Sequence, residues 1–287
     1  YPDYRALFNQ RRSEGAENKE SILEFGFLAP NFTYSFDYFF GPPLDGGYAQ
    51  ISPTENLVKE YQMADGTDFS WSNPVHAANP YQGREPRFYA SILYNGATWK
   101  GRTLETVVGS KEGYAVGGGT TSTGYYMRKL FDEKLTDLGR GELTFYFMRY
   151  AEVLLIQAEA MAEQGQLSAG LEALNKVRRR AGFTRDLTAT NTGQLLSLIR
   201  RERMVELAFE GHRFWDLRRW GLATSVLNGT HATGVKITKG TSGNLTYELV
   251  DVDNGRSRVY PEKYNRFPIP IAELQRNPNI EQFNEWK

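Results

Sequence analysis

The segment that decides the fold is "MRYAEVLLIQAEAMAEQG" (residues 148–165), together with the stretch that follows it, "LSAGLEALNKVRRRAG" (167–182). Apolar residues recur in both at intervals of three and four, which is the spacing of one helical face. A glycine stands where each helix should end. The two segments therefore predict an antiparallel helix pair with a tight turn at Gly165.

This pair fits, without gaps, the tetratricopeptide pattern of about 34 residues. The signature positions are occupied by Leu154, Gln157, Ala158, Met161, Gly170, Leu174 and Gly182. All but Gln157 and Gly182 keep the required size or apolarity, so the pair is interpreted as a degenerate helical repeat. Such a repeat cannot bury its inner face alone. Residues 193–210 and 212–220 are therefore expected to form a second pair that stacks on it.

The second pair contains "LAFEGHRFWDLRRWG" (207–221), where ionisable and aromatic residues are concentrated. Asp216 is three residues from both Arg213 and Arg219, the spacing of neighbours on one helical face. A general acid or base needs a perturbed pKa and a cavity, whereas an arginine beside each acid stabilises the ordinary charged form. The sequence favours a structural ion network over an active site here. The rings expected to face the neighbouring helices are Phe209, Phe214, Trp215 and Trp220.

Outside the helices, the expected organisation follows from turn-forming residues and from the alternation of apolar and polar residues. Gly, Pro, Asn and aromatic residues cluster ahead of the helices, with a short strand predicted at 20–27 and a short helix at 52–66. Alternation around Asn254-Gly255 predicts a hairpin, and prolines predict an extended tail anchored by Phe283 and Trp286. The predicted regions are a loop-rich ligand-binding region (1–141), a helical scaffold (142–221), a hairpin insertion (222–262) and the tail (263–287). The fold class is mainly α.

Composition narrows the functional classes. The 34 basic and 34 acidic side chains cancel, so no long-range field attracts nucleic acid or anionic lipid. There is no Cys, which excludes thiolate metal sites and cysteine nucleophiles, and the three His are far apart in sequence. No apolar run approaches the roughly 20 residues of a membrane span. We expect no nucleic acid, no metal and no cofactor.

Two short motifs resemble ligand loops only in part. "GGGTTSTG" (117–124) has the glycines of a phosphate-binding loop but lacks the Gly-Lys-Ser/Thr that would place an ammonium and a magnesium ligand. "DVDNG" (251–255) is too short for a calcium loop and lacks the distal glutamate. A surface loop and a hairpin turn account for them.

Four stretches together resemble the SusD/RagB family of outer-membrane glycan-binding lipoproteins of Bacteroidetes. The four stretches are "NPYQGREPRFYASILYNG" (79–96), "MRYAEVLLIQAEAMAEQG" (148–165), "IRRERMVELAFEGHRFWDLRRWG" (199–221) and "FPIPIAELQRNPNIEQ" (267–282). The third and fourth are highly specific for the family when they occur in this order. The resemblance implies a SusD-like fold. Because "YPDYRALF" resembles a segment near the middle of the family's sequences, it also implies a C-terminal portion whose N-terminal half, with its lipidated cysteine, is missing.

Membership would imply a non-enzymatic protein. It would bind oligosaccharide at the cell surface and pass it to a SusC-like TonB-dependent transporter, with membrane attachment only through the lipid anchor. Family binding sites lie partly in loops between the "REPRFY" segment and the repeat helices. By position we expect Trp99, Tyr94, Tyr114 and Tyr125 to stack on sugar rings, with Asn95 and Arg102 as polar partners. Trp71 and Tyr81 are further candidates.

Two other functions remain open from the sequence. Acids in the loops could serve a carbohydrate-active hydrolase, and the candidates are Asp68, near Trp71, and Glu85, flanked by Arg84 and Arg87. Alternatively, the groove beside residues 149–182 could bind peptide as helical-repeat modules do.

Overall fold

The computed structural model describes residues 3–15 and 18–287. Helices are the main element, and the strands form two-stranded sheets. Within the described ranges, no helix has the length and apolarity to cross a membrane. The helices are α1 (Tyr4–Leu7), α2 (Phe36–Phe40), α3 (Glu55–Val58), α4 (Pro74–Ala78), α5 (Pro86–Ser91), α6 (Tyr150–Glu163), α7 (Leu167–Arg180), α8 (Thr192–Glu206), α9 (His212–Arg219), α10 (Ala223–Leu227) and α11 (Ile271–Arg276). The strands are β1 (Ser21–Phe25), β2 (Ile92–Leu93), β3 (Thr98–Trp99), β4 (Arg102–Thr103), β5 (Tyr126–Met127), β6 (Phe145–Arg149), β7 (Thr233–Lys239) and β8 (Leu245–Asp251).

The helices α6, α7 and α8 form the scaffold, as their periodicity predicts. Gly165, at φ +74°, turns the chain between α6 and α7. Gly170 allows α7 to lie close to α6 and α8, because a Cβ there would stand 2.9 Å from Leu195 and 3.0 Å from the carbonyl oxygen of Ala158. Helix α8 packs on both members of the pair, and α9 follows it after a left-handed Gly211. The buried side chains between them are Leu154, Leu155, Ala158, Ala162, Leu174, Val177, Leu195 and Ile199.

The strand predicted at 20–27 is present as β1, which pairs antiparallel with β6 from Ser21 opposite Arg149 to Phe25 opposite Phe145. Because β6 runs directly into α6, this pairing ties the loop-rich region to the scaffold. The helix predicted at 52–66 is confirmed only as the short α3.

The predicted hairpin is present, but its turn is not at Asn254-Gly255. Strands β7 and β8 pair from Thr233 opposite Asp251 to Lys239 opposite Leu245, so the chain reverses at residues 240–244. Asn254 and Gly255 have positive φ values of 54° and 73° and form a separate turn beyond β8. An Asn-Gly pair satisfies any turn that needs two left-handed residues, and here that turn lies one strand later.

The tail differs in part from its prediction. It contains the helix α11 rather than running extended throughout, because Pro270 stands at the N-cap, where its missing N–H costs nothing. The expected anchoring at its end is found. The Trp286 ring stacks on Tyr264 at 5.6 Å between centroids, and the Arg266 guanidinium lies 3.2 Å from the Phe283 ring centroid.

Candidate functional site

The charged cluster at the end of α8 is a buried ion network. Glu206 is fully buried and accepts hydrogen bonds from Arg87 at 2.9 Å, from Arg149 at 2.7 Å and from Arg180. Burial alone would raise the pKa of Glu206, but the charges of Arg180, Arg149 and Arg87 outweigh it and hold that pKa far below its usual range. An acid locked in the charged form by three arginines is a structural anchor.

The same network extends through "LAFEGHRFWDLRRWG". Arg149 also bonds Glu210 at 2.6 Å, and Glu210 accepts from Lys129 at 2.6 Å. Asp216 bonds Arg219 at 2.8 Å as expected, and its second oxygen is taken by Arg203, also at 2.8 Å. The prediction of a structural network is therefore confirmed, with one correction: Arg213 was an expected partner of Asp216, and Arg203 from the preceding helix occupies that position.

Two of the four aromatic residues of this stretch differ from their prediction, whereas Trp220 contacts α6 as expected and donates its indole N–H to Glu159 at 2.7 Å. Phe214 and Trp215 are 40% and 56% exposed, so neither is buried against the neighbouring helices. The Arg218 guanidinium lies 5.3 Å and 5.5 Å from their ring centroids. Helix α9 turns these rings outward because its buried face is given to Asp216 and Leu217.

Three of the rings expected to stack on sugar lie in the interior. Trp99 is 1% exposed and donates its indole N–H to Asp45. Tyr125 and Tyr81 are also buried, within an aromatic cluster that includes Phe88. In this conformation these rings present no free face, because long loops without regular structure bury their own aromatic residues to form a core.

The remaining predicted residues are half-buried, and both predicted polar partners already bond protein groups. Asn95 accepts from the backbone N–H of Thr106 at 2.9 Å, and Arg102 holds Glu112 through two bonds of 2.7 Å. Tyr94 packs 4.8 Å from Tyr81 between centroids. Tyr114 and Trp71 complete the half-buried set. The structure does not gather the eight residues around one cavity, and their role in glycan binding stays a prediction.

Glu55 is a buried acid whose ionisation should change the free energy of unfolding. It accepts hydrogen bonds from Trp71 at 2.7 Å and Tyr125 at 2.6 Å, yet burial dominates and raises its pKa. The unfolded chain, with a glutamate pKa of about 4.3, releases this proton first. The contribution of Glu55 to the free energy of unfolding is therefore full below that pH and lost as pH rises through the raised pKa.

We expect the Glu55→Gln variant to lack this dependence. The free energy of unfolding of the variant minus that of the parent should increase as pH rises from about 4 towards neutrality. Urea titrations at intervals of pH measure it. A difference that stays constant with pH would contradict the assignment.

An open cleft lies where three loops meet. It has a volume of about 470 Å³ and is lined by the 48–50 segment, the glycine-rich 116–122 segment and the turn at Asn254. Its walls are braced by backbone bonds: the Tyr48 N–H donates to the Tyr38 carbonyl at 3.0 Å, and the Ala115 N–H to that of Thr121 at 3.0 Å. We call this the loop cleft. Its lining residues are Tyr48, Ala49, Gln50, Val116, Gly117, Gly118, Gly119, Thr120, Ser122, Val252 and Asn254.

Tyr48 supplies the aromatic surface of the loop cleft. Its ring is 50% exposed and meets Tyr38 edge-on at 5.0 Å between centroids, and Tyr38 is itself 38% exposed. Sequence reasoning missed both. The available signal was the Gly-Pro-rich segment 39–53, in which a tyrosine directly follows two glycines, because tight turns on both sides keep a ring at the surface.

Both the sequence and the fold of the chain are similar to those of known proteins. The sequence profile of the SusD family matches residues 6–286. The chain belongs to the SusD family. A solved SusD-like carbohydrate-binding protein from Bacteroides fragilis superposes with a TM-score of 0.83 at 29% identity, over 98% of this chain and 57% of that one. A second SusD-like protein from that organism gives 0.78 at 28% identity, over 97% and 56%.

A curated relative is the starch-binding protein SusD of Bacteroides thetaiotaomicron. It is 30% identical over 139 residues, which are 48% of this chain and 21% of SusD. The chain thus spans just over half the length of the solved SusD-like proteins, and its matched part covers a smaller share of SusD. The expectation of a SusD-like family member is confirmed.

The acids considered for hydrolysis are paired in this SusD-family chain. Burial raises the pKa of Glu85, which bonds Arg87 at 2.7 Å within the protein interior. Burial also opposes ionisation of Asp68, but hydrogen bonds from Gln62 and Arg201 outweigh it and lower its pKa. Neither carboxyl lines the loop cleft.

A cluster with metal-ligating atoms lies at the base of the β7–β8 hairpin. The ligand atoms of His231, Asp251 and Asp253 lie within 4.8 Å of one another. Protein groups already use these carboxylates: Asp253 accepts from Arg258 at 3.0 Å, and Asp251 accepts from the backbone N–H of Gly255 at 3.1 Å. The neighbouring arginine opposes a cation, and the expectation of no metal stays a prediction.

Proposed function

We propose that this SusD-family chain binds neutral glycan in the loop cleft and performs no chemistry on it. One observation carries the proposal. Among the described residues, the lining of the cleft includes an exposed tyrosine ring and several amide and hydroxyl side chains, but no Asp, Glu, His, Lys or Arg. Glycosidic hydrolysis needs two carboxyl groups, whereas sugar binding needs a ring face and hydrogen-bonding groups.

The proposed contacts follow from this chemistry. The apolar face of a sugar ring would stack on Tyr48, and the amides of Gln50 and Asn254 would bond its hydroxyls. Glycines 117–119 have no side chains, so a bound ligand would approach their backbone closely. A SusD-like protein of Bacteroides fragilis described as carbohydrate-binding shares the fold, which supports the same class of ligand here.

Tyr48→Ala is expected to weaken glycan binding by about tenfold or more, because it removes the ring that would cover the sugar. Affinity electrophoresis of the chain in gels containing starch or another neutral polysaccharide would identify a glycan that retards it, and the variants are then compared in the same gels. Tyr150→Ala is the matched control, since Tyr150 is 54% exposed but lies on α6 outside the cleft.

Two results would argue against the proposal. Retardation of Tyr48→Ala equal to that of the parent would remove the loop cleft from glycan binding. Release of reducing ends from the retarding polysaccharide would point instead to a hydrolase, and substitutions of Asp68 and Glu85 would then locate its acids.

The whole protein's role is also a proposal. We place it at the bacterial surface as a lipoprotein of the outer membrane that passes oligosaccharide to a SusC-like TonB-dependent transporter. The chain would be the C-terminal portion, with residues 1–141 carrying the ligand site, 142–221 the scaffold, 222–262 the hairpin and 263–287 the tail. Support comes from the family assignment and from the extent of the match to longer relatives.

An exposed apolar face supports the same view. Tyr150, Val153 and Ile156 are exposed on α6, and Leu23 and Phe147 are exposed on the β1–β6 sheet that runs into it. Exposed patches of this kind mark interaction surfaces. We propose that further tetratricopeptide-like helices of a family-length protein cover this face. A small cavity of about 280 Å³ between α6 and α7 lies on the same side and keeps peptide binding as the second candidate function.

A further inference from the structure

A second cavity, of about 510 Å³, lies between the α8–α9 corner and the base of the β7–β8 hairpin. It is outside the loop cleft and shares no lining residue with it. Five of its lining side chains are basic, and we call it the cationic cavity. These are Arg203, His212, Arg213, His231 and Arg258.

No carboxylate lines the cationic cavity within the part of the chain that the structure describes. The acids that neutralise its bases approach from behind the wall: Asp216 bonds Arg203 at 2.8 Å, and Asp253 bonds Arg258 at 3.0 Å. Glu152 lies 3.4 Å from His212, and Asp251 lies 3.0 Å from His231. Each of these four basic groups thus has a carboxylate nearby, and the lining of the cavity itself contributes none.

Arg213 is the basic group whose charge is least compensated. No hydrogen bond or ion pair to its guanidinium is found among residues 3–15 and 18–287, although Asp216 stands one turn away. Burial lowers the pKa of Arg213, and the charges of Asp216 and Glu60 act on it only through space. A half-buried guanidinium that no protein group bonds is free to form charge-assisted hydrogen bonds with an anion in the cavity.

Arg203 gives a second, independent indication. Its side chain is 3% exposed, and its Nε bonds Asp216. Its Nη1 is buried and has no hydrogen-bond partner among the residues that the structure describes. Buried polar groups in native proteins are nearly always satisfied, and because Arg203 lines the cavity, a ligand acceptor bound there would satisfy this donor.

We infer that the cationic cavity binds the carboxylate of an acidic sugar of the hexuronic acid type. The anion would be held by Arg213 and by the free Nη1 of Arg203. Most of the remaining wall is apolar, and Phe214 offers a ring face to the body of the sugar. The Oδ1 of Asn56 already accepts from Thr233, so the Asn56 amide would offer its N–H groups to the sugar hydroxyls. The volume lies within the range of about 300–1,000 Å³ that small-molecule sites occupy.

Galacturonate and galactose test this inference, because they differ only in the group on C6. In NMR titrations of the full chain, galacturonate should bind at least about tenfold more tightly, as expected for a charge-assisted pair. Equal binding of the two sugars, or no binding of galacturonate, would overturn the inference without any variant being made.

Variants then locate the site. Arg213→Gln should remove the preference for galacturonate, and Arg213→Lys should retain part of it. The thermal midpoint of Arg213→Gln should not fall, since Arg213 has no protein partner to lose, whereas a structural arginine would lower it. Arg276→Gln is the control, because Arg276 is 78% exposed on α11 and should change nothing. A preference unchanged in Arg213→Gln would exclude this cavity.

Two further measurements identify the type of ligand and separate this cavity from the loop cleft. The peptide acetyl-Gly-Glu-Gly-amide carries the same carboxylate on a protein-like body, and tighter binding of that peptide than of galacturonate would refute the sugar assignment. Tyr48→Ala should leave galacturonate binding unchanged, so failure of the loop cleft and failure of the cationic cavity can be told apart.

Discussion

Glu206→Ala is expected to lower the free energy of unfolding by about 3–5 kcal/mol, or to prevent folding. The substitution removes the carboxylate that the buried Arg87 and Arg149 share. Each arginine keeps other carboxylate partners, but the buried network as a whole loses one negative charge without losing a positive one. Arg180 loses the same acceptor. An uncompensated charge in the interior costs far more than the ion pair itself contributes, because the charge can no longer recover its hydration.

Urea unfolding followed by circular dichroism measures the effect. Glu172→Ala is the matched control, because Glu172 pairs with Arg179 at 3.3 Å on the surface and both side chains are about half exposed. An exposed pair of this kind contributes about 0–1 kcal/mol. If the two variants lost similar stability, the buried network would not be the structural anchor described above. If Glu206→Ala does not fold, Glu206→Gln, which keeps the volume and one acceptor, should fold with an intermediate loss.

The network shows what helical periodicity can and cannot predict. The spacing of Asp216 and Arg219 predicts their contact, because both lie on one turn of α9. Two partners of Arg149 are far from it in sequence: Glu20 in the loop-rich region and Glu206 at the end of α8. Local spacing carries no information on such pairs, because they depend on how the β1–β6 sheet docks on the helices.

The exposure of individual loop aromatics follows less directly from the sequence than the helices do, also for a physical reason. A loop aromatic can stack on a ligand or fill the core, and the sequence around Trp99 is the same in both cases. The structure places Trp99 in the interior with Leu93 and Phe131, whereas Tyr48 stays exposed. Only the three-dimensional packing of the loops decides which ring remains at the surface.

Gly124→Ala is expected to be the most damaging substitution among the glycine-rich residues 117–124. Gly124 has φ +83°, and a Cβ there would stand 2.1 Å from the backbone carbonyl oxygen of Val235. Backbone cannot move aside as a side chain can, so the wall of the loop cleft must separate from β7. We expect a loss of about 2–4 kcal/mol in the free energy of unfolding, since clash and strained φ act together.

Gly243→Ala separates the two causes. Gly243 has φ +85°, but nothing lies within 4 Å of the position of its added Cβ. That variant should lose only the cost of a left-handed alanine, about 1 kcal/mol. Equal losses in the two variants would mean that the contact with Val235 is unimportant.

Gly124→Ala should also weaken glycan binding, although Gly124 does not line the loop cleft. The carbonyl of Thr123 accepts the N–H of Val235 at 2.9 Å, and this bond fixes the end of the glycine-rich wall to the hairpin. Breaking it frees Thr120 and Ser122 to move away from Tyr48. Affinity electrophoresis should therefore show reduced retardation for Gly124→Ala and parental retardation for Gly243→Ala. Binding that survives the loss of this bond would mean that Tyr48 and its immediate neighbours recognise the sugar without the opposite wall.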